Sequence, residues 1–356
     1  MAGTARLTEA SAQQGRAVDQ AIDIQRLSAW LTENVDGFTG RLSLKKFDGG
    51  QSNPTYLLTS ASGRYVLRRQ PLGPILKGAH AVDREARVMR ALCGVGFPVP
   101  PVQALCTDTS IIGSAFYIMD FADGRIFWDG GLPDVPRDER AAYQSAMAAT
   151  LAQLHKHEPE VLGLSDYGRS ERYFERQLQR WTAQYRGDEV AGRYADMDAV
   201  ADWLEARIPP DNAACIVHGD YRIDNLVFHQ QEPRVVAVLD WELSTLGDPI
   251  VDFAYSLLMY RVPSALPWGL ADRDLRTLGL PDEATYVANY CSQVDREDIP
   301  DLDTYVVFNL FRLAAIIHGI KGRMLRGNAA SAVADAMVAH LDLIAHIARN
   351  TTANAR

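Results

Sequence analysis

The sequence predicts an α+β protein of two lobes, a small β-rich half followed by a larger, mostly helical half. Alternating apolar and polar runs broken by glycine turns fill residues 42–69. Apolar residues at helical spacing dominate beyond Phe121. A short β-rich insert, 216–239, interrupts that helical half. The predicted layout is a loose tail over 1–19, a first lobe over 20–121 and a second over 122–356. The expected ligand site is the cleft between the lobes.

The elements follow from local pattern. Ile22, Leu27, Trp30 and Leu31 recur at amphipathic helical spacing. Leu42 to Tyr65 reads as strand, glycine turn, strand, turn, with a third strand at Tyr65–Arg69. Pro71 and Pro74 close that region, and Val82, Ala86, Met89 and Leu92 mark a helix over 80–92. Strands are predicted at Val102–Cys106 and Ala115–Met119. Helices are predicted over 137–157, 170–186, 195–207, 250–261, 282–291, 302–325 and 330–349. Three β runs, Ile216–Val217, Leu226–Phe228 and Val235–Leu239, form the insert.

Bulk properties narrow the function. The chain has 356 residues, 47% hydrophobic and 23% charged, enough to bury a core without disulfides or a structural metal. A net charge of −9 argues against a protein that coats nucleic acid. Cys93, Cys106, Cys215 and Cys291 form no CxxC pair and read as buried thiols in a reducing compartment. Residues 1–20 lack the apolar stretch of a secretory signal. The greasiest segment, Tyr305–Ile320, is interrupted by Asn309, Arg312 and His318, so no membrane span is expected. The expected location is the cytoplasm.

The chemistry concentrates in His218-Gly219-Asp220-Tyr221-Arg222-Ile223-Asp224-Asn225, an HxDxxxxN pattern running into an apolar strand. A second apolar strand ends at Asp240-Trp241-Glu242. Asp220 can orient a hydroxyl and accept its proton. Asn225 offers a neutral oxygen and Asp240 an anionic one to a hard cation such as Mg2+. A hairpin between 226 and 239 would set those two ligands side by side, where magnesium could bridge phosphate oxygens. The GDxxxN stretch also fits a metallophosphatase turn, but none of the eight histidines supplies the companion motifs.

HxDxxxxN with a later strand-terminal Asp is the kinase catalytic-loop and metal-loop pair. His-Gly-Asp and Asp-Trp-Glu resemble the aminoglycoside phosphotransferase and choline kinase branch of the protein-kinase-like fold. Within it the sequence is most similar to the kinase-like N-terminal domain of acyl-CoA dehydrogenase family members ten and eleven and to free-standing bacterial relatives. The matching residues run from Phe47-Asp-Gly-Gly-Gln-Ser-Asn53, through Tyr65–Arg69 and His80–Glu85, to Gly247-Asp248-Pro249 and Asp252. The resemblance covers roughly 40–350, which leaves no stretch here for a flavin dehydrogenase domain.

The resemblance implies an ATP- and Mg2+-dependent small-molecule kinase acting on an alcohol hydroxyl. It assigns Asp220 as base, His218 as a brace of the loop, and Arg222 as either a contact near the γ-phosphate or a second brace of the loop. Asn225 and Asp240 become the metal ligands, with Glu242 either a further contact or solvated. Asp248 and Asp252 are expected to hydrogen-bond the catalytic-loop backbone from below. On the nucleotide side, Gly49, Gly50, Gln51, Ser52 and Asn53 form a phosphate-facing turn. The third-strand basic position, usually Lys, falls on Arg68, with Glu85 as its helix partner. Met119 would gate the pocket, and the backbone of Asp120, Phe121 and Ala122 would meet adenine.

The acceptor is less legible. Phe127, Trp128, Tyr173, Arg176, Trp181 and Arg323 lie in the acceptor-selecting regions, and Arg312, His318 and Lys321 could form one wall for an anion. The nearest resemblance implies a hydroxy acid or its CoA thioester ahead of an amino alcohol or aminoglycoside. The competing expectation is a non-catalytic nucleotide-binding module, supported by the Arg at the third-strand position alone. Neither the oligomeric state nor the choice of ATP over GTP is written in the sequence.

Overall fold

A computed structural model describes residues 22–47, 53–72, 80–327 and 332–355. The chain divides into two compact units, one ending at Asp123 and the other running from Gly124 to Arg356.

In the first unit, helix α1 (Ile24–Asn34) starts at Asp23, whose carboxylate caps the N–H groups of Gln25 and Arg26. Strands β1 (Ser43–Lys46), β2 (Thr55–Ser60) and β3 (Gly63–Arg69) follow, then α2 (Val82–Gly94), β4 (Val102–Cys106) and β5 (Phe116–Asp120). The strands make one antiparallel sheet in the order β1-β2-β3-β5-β4. Strand alternation sorts the side chains between its faces. Leu67 joins Leu27, Leu31, Tyr56, Leu58, Phe116 and Ile118 in a buried cluster beneath α1, where Trp30 meets the Phe116 ring edge-on at 4.9 Å. Its neighbour Arg68 reaches α2 instead.

The second unit opens with α3 (Arg140–His155), α4 (Tyr173–Gly187) and α5 (Ala195–Glu205). Two small antiparallel ladders come next. Strand β6 (Cys215–Val217) pairs with β9 (Thr245–Gly247), and β7 (Leu226–Phe228) pairs with β8 (Val235–Val238). The nested pairing is what the sequence reading missed, since it contained no β9. Three residues beside a glycine carry too little alternation to register as a strand.

Helices α6 (Pro249–Ser256), α7 (Leu258–Arg261), α8 (Leu275–Leu278), α9 (Glu283–Gln293), α10 (Leu302–Leu325), α11 (Ala332–Val338) and α12 (Leu341–Asn354) complete the unit. The helix predicted over 250–261 is broken after Ser256, and the terminal one at residues 339–340. Apolar periodicity continues through both breaks, so pattern alone does not reveal them. Helix α10 is long and apolar enough to cross a membrane by length and composition, yet most of it is buried inside the fold, against α4, α5, α6 and α12. Asn309 at its centre donates to the carbonyls of Val251 and Tyr305, which satisfies its amide nitrogen, while its Oδ1 is buried without a partner.

Because α10 is the spine of this unit, truncating it should be costly. Leu310, fully buried, is expected to cost about 2–5 kcal/mol when changed to Ala. Chemical denaturation followed by circular dichroism checks this; a loss under about 1 kcal/mol would contradict it.

Candidate active site

The turn between β6 and the short helical turn Ile223–Asn225 carries the HxDxxxxN residues. Its conformation is imposed from below. Asp252, on the first turns of α6, accepts from the backbone N–H of His218 at 2.7 Å and of Gly219 at 2.8 Å. The ring of His155 bonds the same carboxylate at 3.2 Å and is itself tied to the Tyr290 hydroxyl at 2.7 Å. Burial works against ionisation of Asp252, but the His155 contact and the loop amides more than offset it, and its carboxyl lies below the ordinary range. Asp248 has a different task from the one expected. It caps α6 through the Ile250 N–H at 2.8 Å and accepts from Asn212 at 2.9 Å, as the residue before Pro249 at a helix start is placed to do.

Gly219 has φ +83°, and a Cβ there would fall 2.8 Å from the Leu243 carbonyl oxygen. Both facts demand glycine at the middle of His-Gly-Asp. His218 is fully buried. Its Nε2 bonds the Leu239 carbonyl at 2.8 Å, and its Nδ1 accepts from the Asp220 N–H at 3.2 Å. It therefore ties the Asp220 loop to the end of β8, and its protons are committed to that bracing. Tyr221 anchors the loop to α3 through the Met147 carbonyl at 2.8 Å.

Asn225 donates its amide to the Asp220 carbonyl at 2.9 Å and to the Asp220 carboxylate at 3.2 Å. The amide nitrogen is thereby engaged with the loop while Oδ1 is left as the oxygen donor. Leu239 N–H bonds the Asn225 carbonyl at 2.8 Å, and Leu226 opposes Val238 in the hairpin, so Asn225 and the residue before Asp240 are joined directly. Asp240 has φ +63°, a left-handed conformation that costs a non-glycine residue about 1 kcal/mol. One amide oxygen and one carboxylate fit Mg2+, which takes few protein ligands and fills its shell with phosphate oxygens and water. Among the described residues no group of three or more His, Cys, Asp or Glu side chains could hold a metal.

Arg222 lies with Nη2 at 2.8 Å from Asp224 and Nε at 3.6 Å from Asp220, its guanidinium 5.6 Å from the centre of the Trp268 ring. Glu242 is exposed. Tyr255 was absent from the sequence reading. Burial first, then the negative charge of nearby Asp220, pushes its phenol well up, so it stays protonated.

In the first unit, Arg68 Nε lies 2.8 Å from Glu85 Oε2. Tyr117 donates to the same oxygen at 3.0 Å and Asn53 to Oε1 at 2.7 Å. Three donors thus surround a carboxylate that is 1% exposed. Asn53 corrects the sequence reading: it is fully buried, its amide is spent on Glu85, and its Oδ1 meets His80 at 3.1 Å. Gly49, Gly50, Gln51 and Ser52 lie outside the described residues. Arg69 faces away from Arg68 and bonds Ser114 and the Ile112 carbonyl. Met119 is buried near the end of β5. The N–H groups of Asp120 and Phe121 donate to the carbonyls of Pro101 and Arg64, so two of the amides in the stretch expected to meet adenine are already engaged.

The proposed anionic wall does not form as one surface. Arg312 donates to the Gly219 carbonyl at 2.6 Å. His318 instead bonds the Gly192 carbonyl, and Lys321 the Tyr194 hydroxyl, each at 2.7 Å. Helical spacing aligned the three residues in sequence, but their partners lie on different segments.

With this geometry in hand, the fold is of the protein-kinase-like class. The chain belongs to the phosphotransferase enzyme family, whose model matches residues 43–286. It is similar to acyl-CoA dehydrogenase family member 10 of Mus musculus, 43% identical over 83% of this chain and 28% of the relative. It spans 28% to 40% of the length of such curated relatives. A solved structure from Ralstonia eutropha JMP134, described as a candidate aminoglycoside phosphotransferase, superposes with a TM-score of 0.84 at 42% identity, covering 94% of this chain and 99% of that one. A more distant solved aminoglycoside phosphotransferase, in complex with AMP-PNP and hygromycin B, shares the fold at a TM-score of 0.61 and 17% identity, over 92% of this chain and 98% of that one.

The Asp252 bonds yield a pH dependence with a fixed sign. A carboxyl held below its unfolded value contributes stability above about pH 4, and that contribution is lost as pH falls through the folded value. Asp252→Asn is expected to cost about 3 kcal/mol at neutral pH, with the gap from wild type shrinking as pH drops below about 4. Denaturant titrations at several pH values check this; a gap that stays constant or widens toward acid would contradict it.

Proposed function

We propose that this protein transfers the γ-phosphoryl group of ATP to the hydroxyl of a small alcohol, with Mg2+ as cofactor. The observation that carries the reading is the bonding of Asn225 to both the carbonyl and the carboxylate of Asp220, on a loop tied through His218 to Leu239, the residue before Asp240. One base and two oxygen ligands are thereby kept in register by backbone contacts.

Asp220 takes the proton of the acceptor hydroxyl as its oxygen bonds to the γ-phosphorus and the bond to the departing ADP breaks. Asn225 holds the Asp220 carboxylate in place. His218 acts as a positioning residue. Arg222 supplies positive charge beside Asp220. Asn225 and Asp240 would hold Mg2+, which when bound neutralises phosphate charge. On the nucleotide side, Arg68, oriented by Glu85, is assigned to the phosphates, and Ala122 N–H to the adenine edge. The AMP-PNP complex of the distant fold relative supports ATP as donor. For the acceptor we favour a hydroxy acid or its CoA thioester, the acyl-CoA in the name of the related family member 10 being the support for the thioester. Retention of Asp220, Asn225 and Asp240 together favours catalysis over a purely nucleotide-binding module.

Asp220→Ala is expected to lower kcat by roughly 100- to 10,000-fold while Mg-ATP still binds. Asp240→Ala is expected to lose magnesium-dependent nucleotide binding. Coupled ADP-release assays and calorimetric titration read the two effects. A wild-type rate in Asp220→Ala, or unchanged Mg-ATP binding in Asp240→Ala, would overturn the corresponding role.

A further inference from the structure

Arg312 is a buried cation with too few partners. Its side chain comes from α10, and the residue is 6% exposed. Its described hydrogen bond is to a neutral group, the Gly219 carbonyl. Its Nε is buried without a partner, and among the described residues no carboxylate lies within ion-pairing distance of it. Two rings flank it, Tyr255 of α6 with its centre at 5.3 Å and Trp181 of α4 at 5.8 Å. The Trp181 indole N–H is likewise buried and without a partner. Ring faces stabilise a guanidinium in part, but a desolvated charge with open donors is the arrangement that a bound anion completes.

Its location gives that anion a role. The carbonyl that Arg312 holds belongs to the residue immediately before Asp220. A molecule whose hydroxyl meets Asp220 would therefore bring its other groups close to Arg312. A planar guanidinium fork suits an oxyanion held through two oxygens. We propose that Arg312, with the Trp181 indole N–H beside it, is the specificity-determining anchor for an oxyanion, carboxylate or phosphate, on the acceptor alcohol. This rests on the phosphotransfer reading above and adds the charge of the substrate to it. Arg312 also steadies the Gly219 carbonyl, so a loss of activity on mutation would not by itself reveal an anchoring role.

The test uses matched acceptors on the full-length protein with Mg-ATP. These are 4-hydroxybutyrate against its neutral amide, and glycerol 3-phosphate against glycerol, each followed by acceptor-dependent ADP release. Wild type is expected to prefer the anionic member of at least one pair by roughly 10- to 100-fold in kcat/KM, and the preferred pair tells carboxylate from phosphate. Arg312→Gln should bring that ratio close to one, Arg312→Lys should restore part of it, and Trp181→Phe should reduce it a few-fold. If Arg312→Gln does not fold, Arg312→Lys and Trp181→Phe carry the comparison. A purely structural Arg312 would lower both members equally and leave the ratio unchanged, which overturns the proposal. So would a wild-type enzyme that phosphorylates neutral or amino alcohols as well as anionic ones, although the kinase reading would then stand. Wild type that phosphorylates none of a broad set of alcohols would fail the kinase reading itself.

Discussion

The catalytic loop depends on one buried carboxylate. Asp252 receives the consecutive N–H groups of His218 and Gly219 and sets the direction in which the chain leaves β6. A turn with φ +83° at Gly219 exposes backbone donors that cannot pair within a strand or helix, and leaving them unpaired in the interior would be costly. Asp252 removes that cost and is in turn held by His155, which is oriented by Tyr290. The chain of contacts runs from α9 through α3 and α6 to the loop. Helix packing is thereby converted into a fixed position for Asp220.

A second tie works sideways. His218 links the loop to Leu239, and Asn225 is bonded to Leu239 through its own carbonyl. The residue before Asp240 is therefore tied twice to the Asp220 loop, although the two stretches belong to different two-stranded ladders. The left-handed conformation at Asp240 is tolerated because these contacts over-determine the backbone around it. The small ladders thus act as a frame that holds three oxygen-bearing side chains, and the surrounding helices supply the rigidity.

Much of this was readable in the sequence. The HxDxxxxN spacing singled out the loop in which Asn225 bonds the Asp220 carbonyl and carboxylate and His218 bonds Leu239. Arg68 and Glu85 were also legible, from strand alternation and helix position. What escaped depended on long-range packing. Asp248 and Asp252 looked equivalent in sequence, but one begins α6 and the other sits a turn later, where it reaches the loop amides. Asn53 looked like a phosphate donor because it follows a glycine turn, yet it is buried beside Glu85. Tyr255 and Arg312 meet the loop from helices 35 and 93 residues away in sequence (255 less 220, and 312 less 219). No local motif announces such contacts. An arginine inside an apolar helical run was the one available signal; it suggested a wall for an anion shared with His318 and Lys321, not a bond to the Gly219 carbonyl.

The metal role proposed for Asn225 and Asp240 requires that they share one divalent cation beside Asp220. Anomalous diffraction from crystals grown with Mn2+ and a non-hydrolysable ATP analogue tests it most directly. The account predicts a manganese peak bonded to Asn225 Oδ1 and an Asp240 carboxylate oxygen at about 2.0–2.2 Å, with the Asp220 carboxylate facing the terminal phosphate. A peak held by other residues, or a nucleotide bound with neither Asn225 nor Asp240 touching metal, would contradict it.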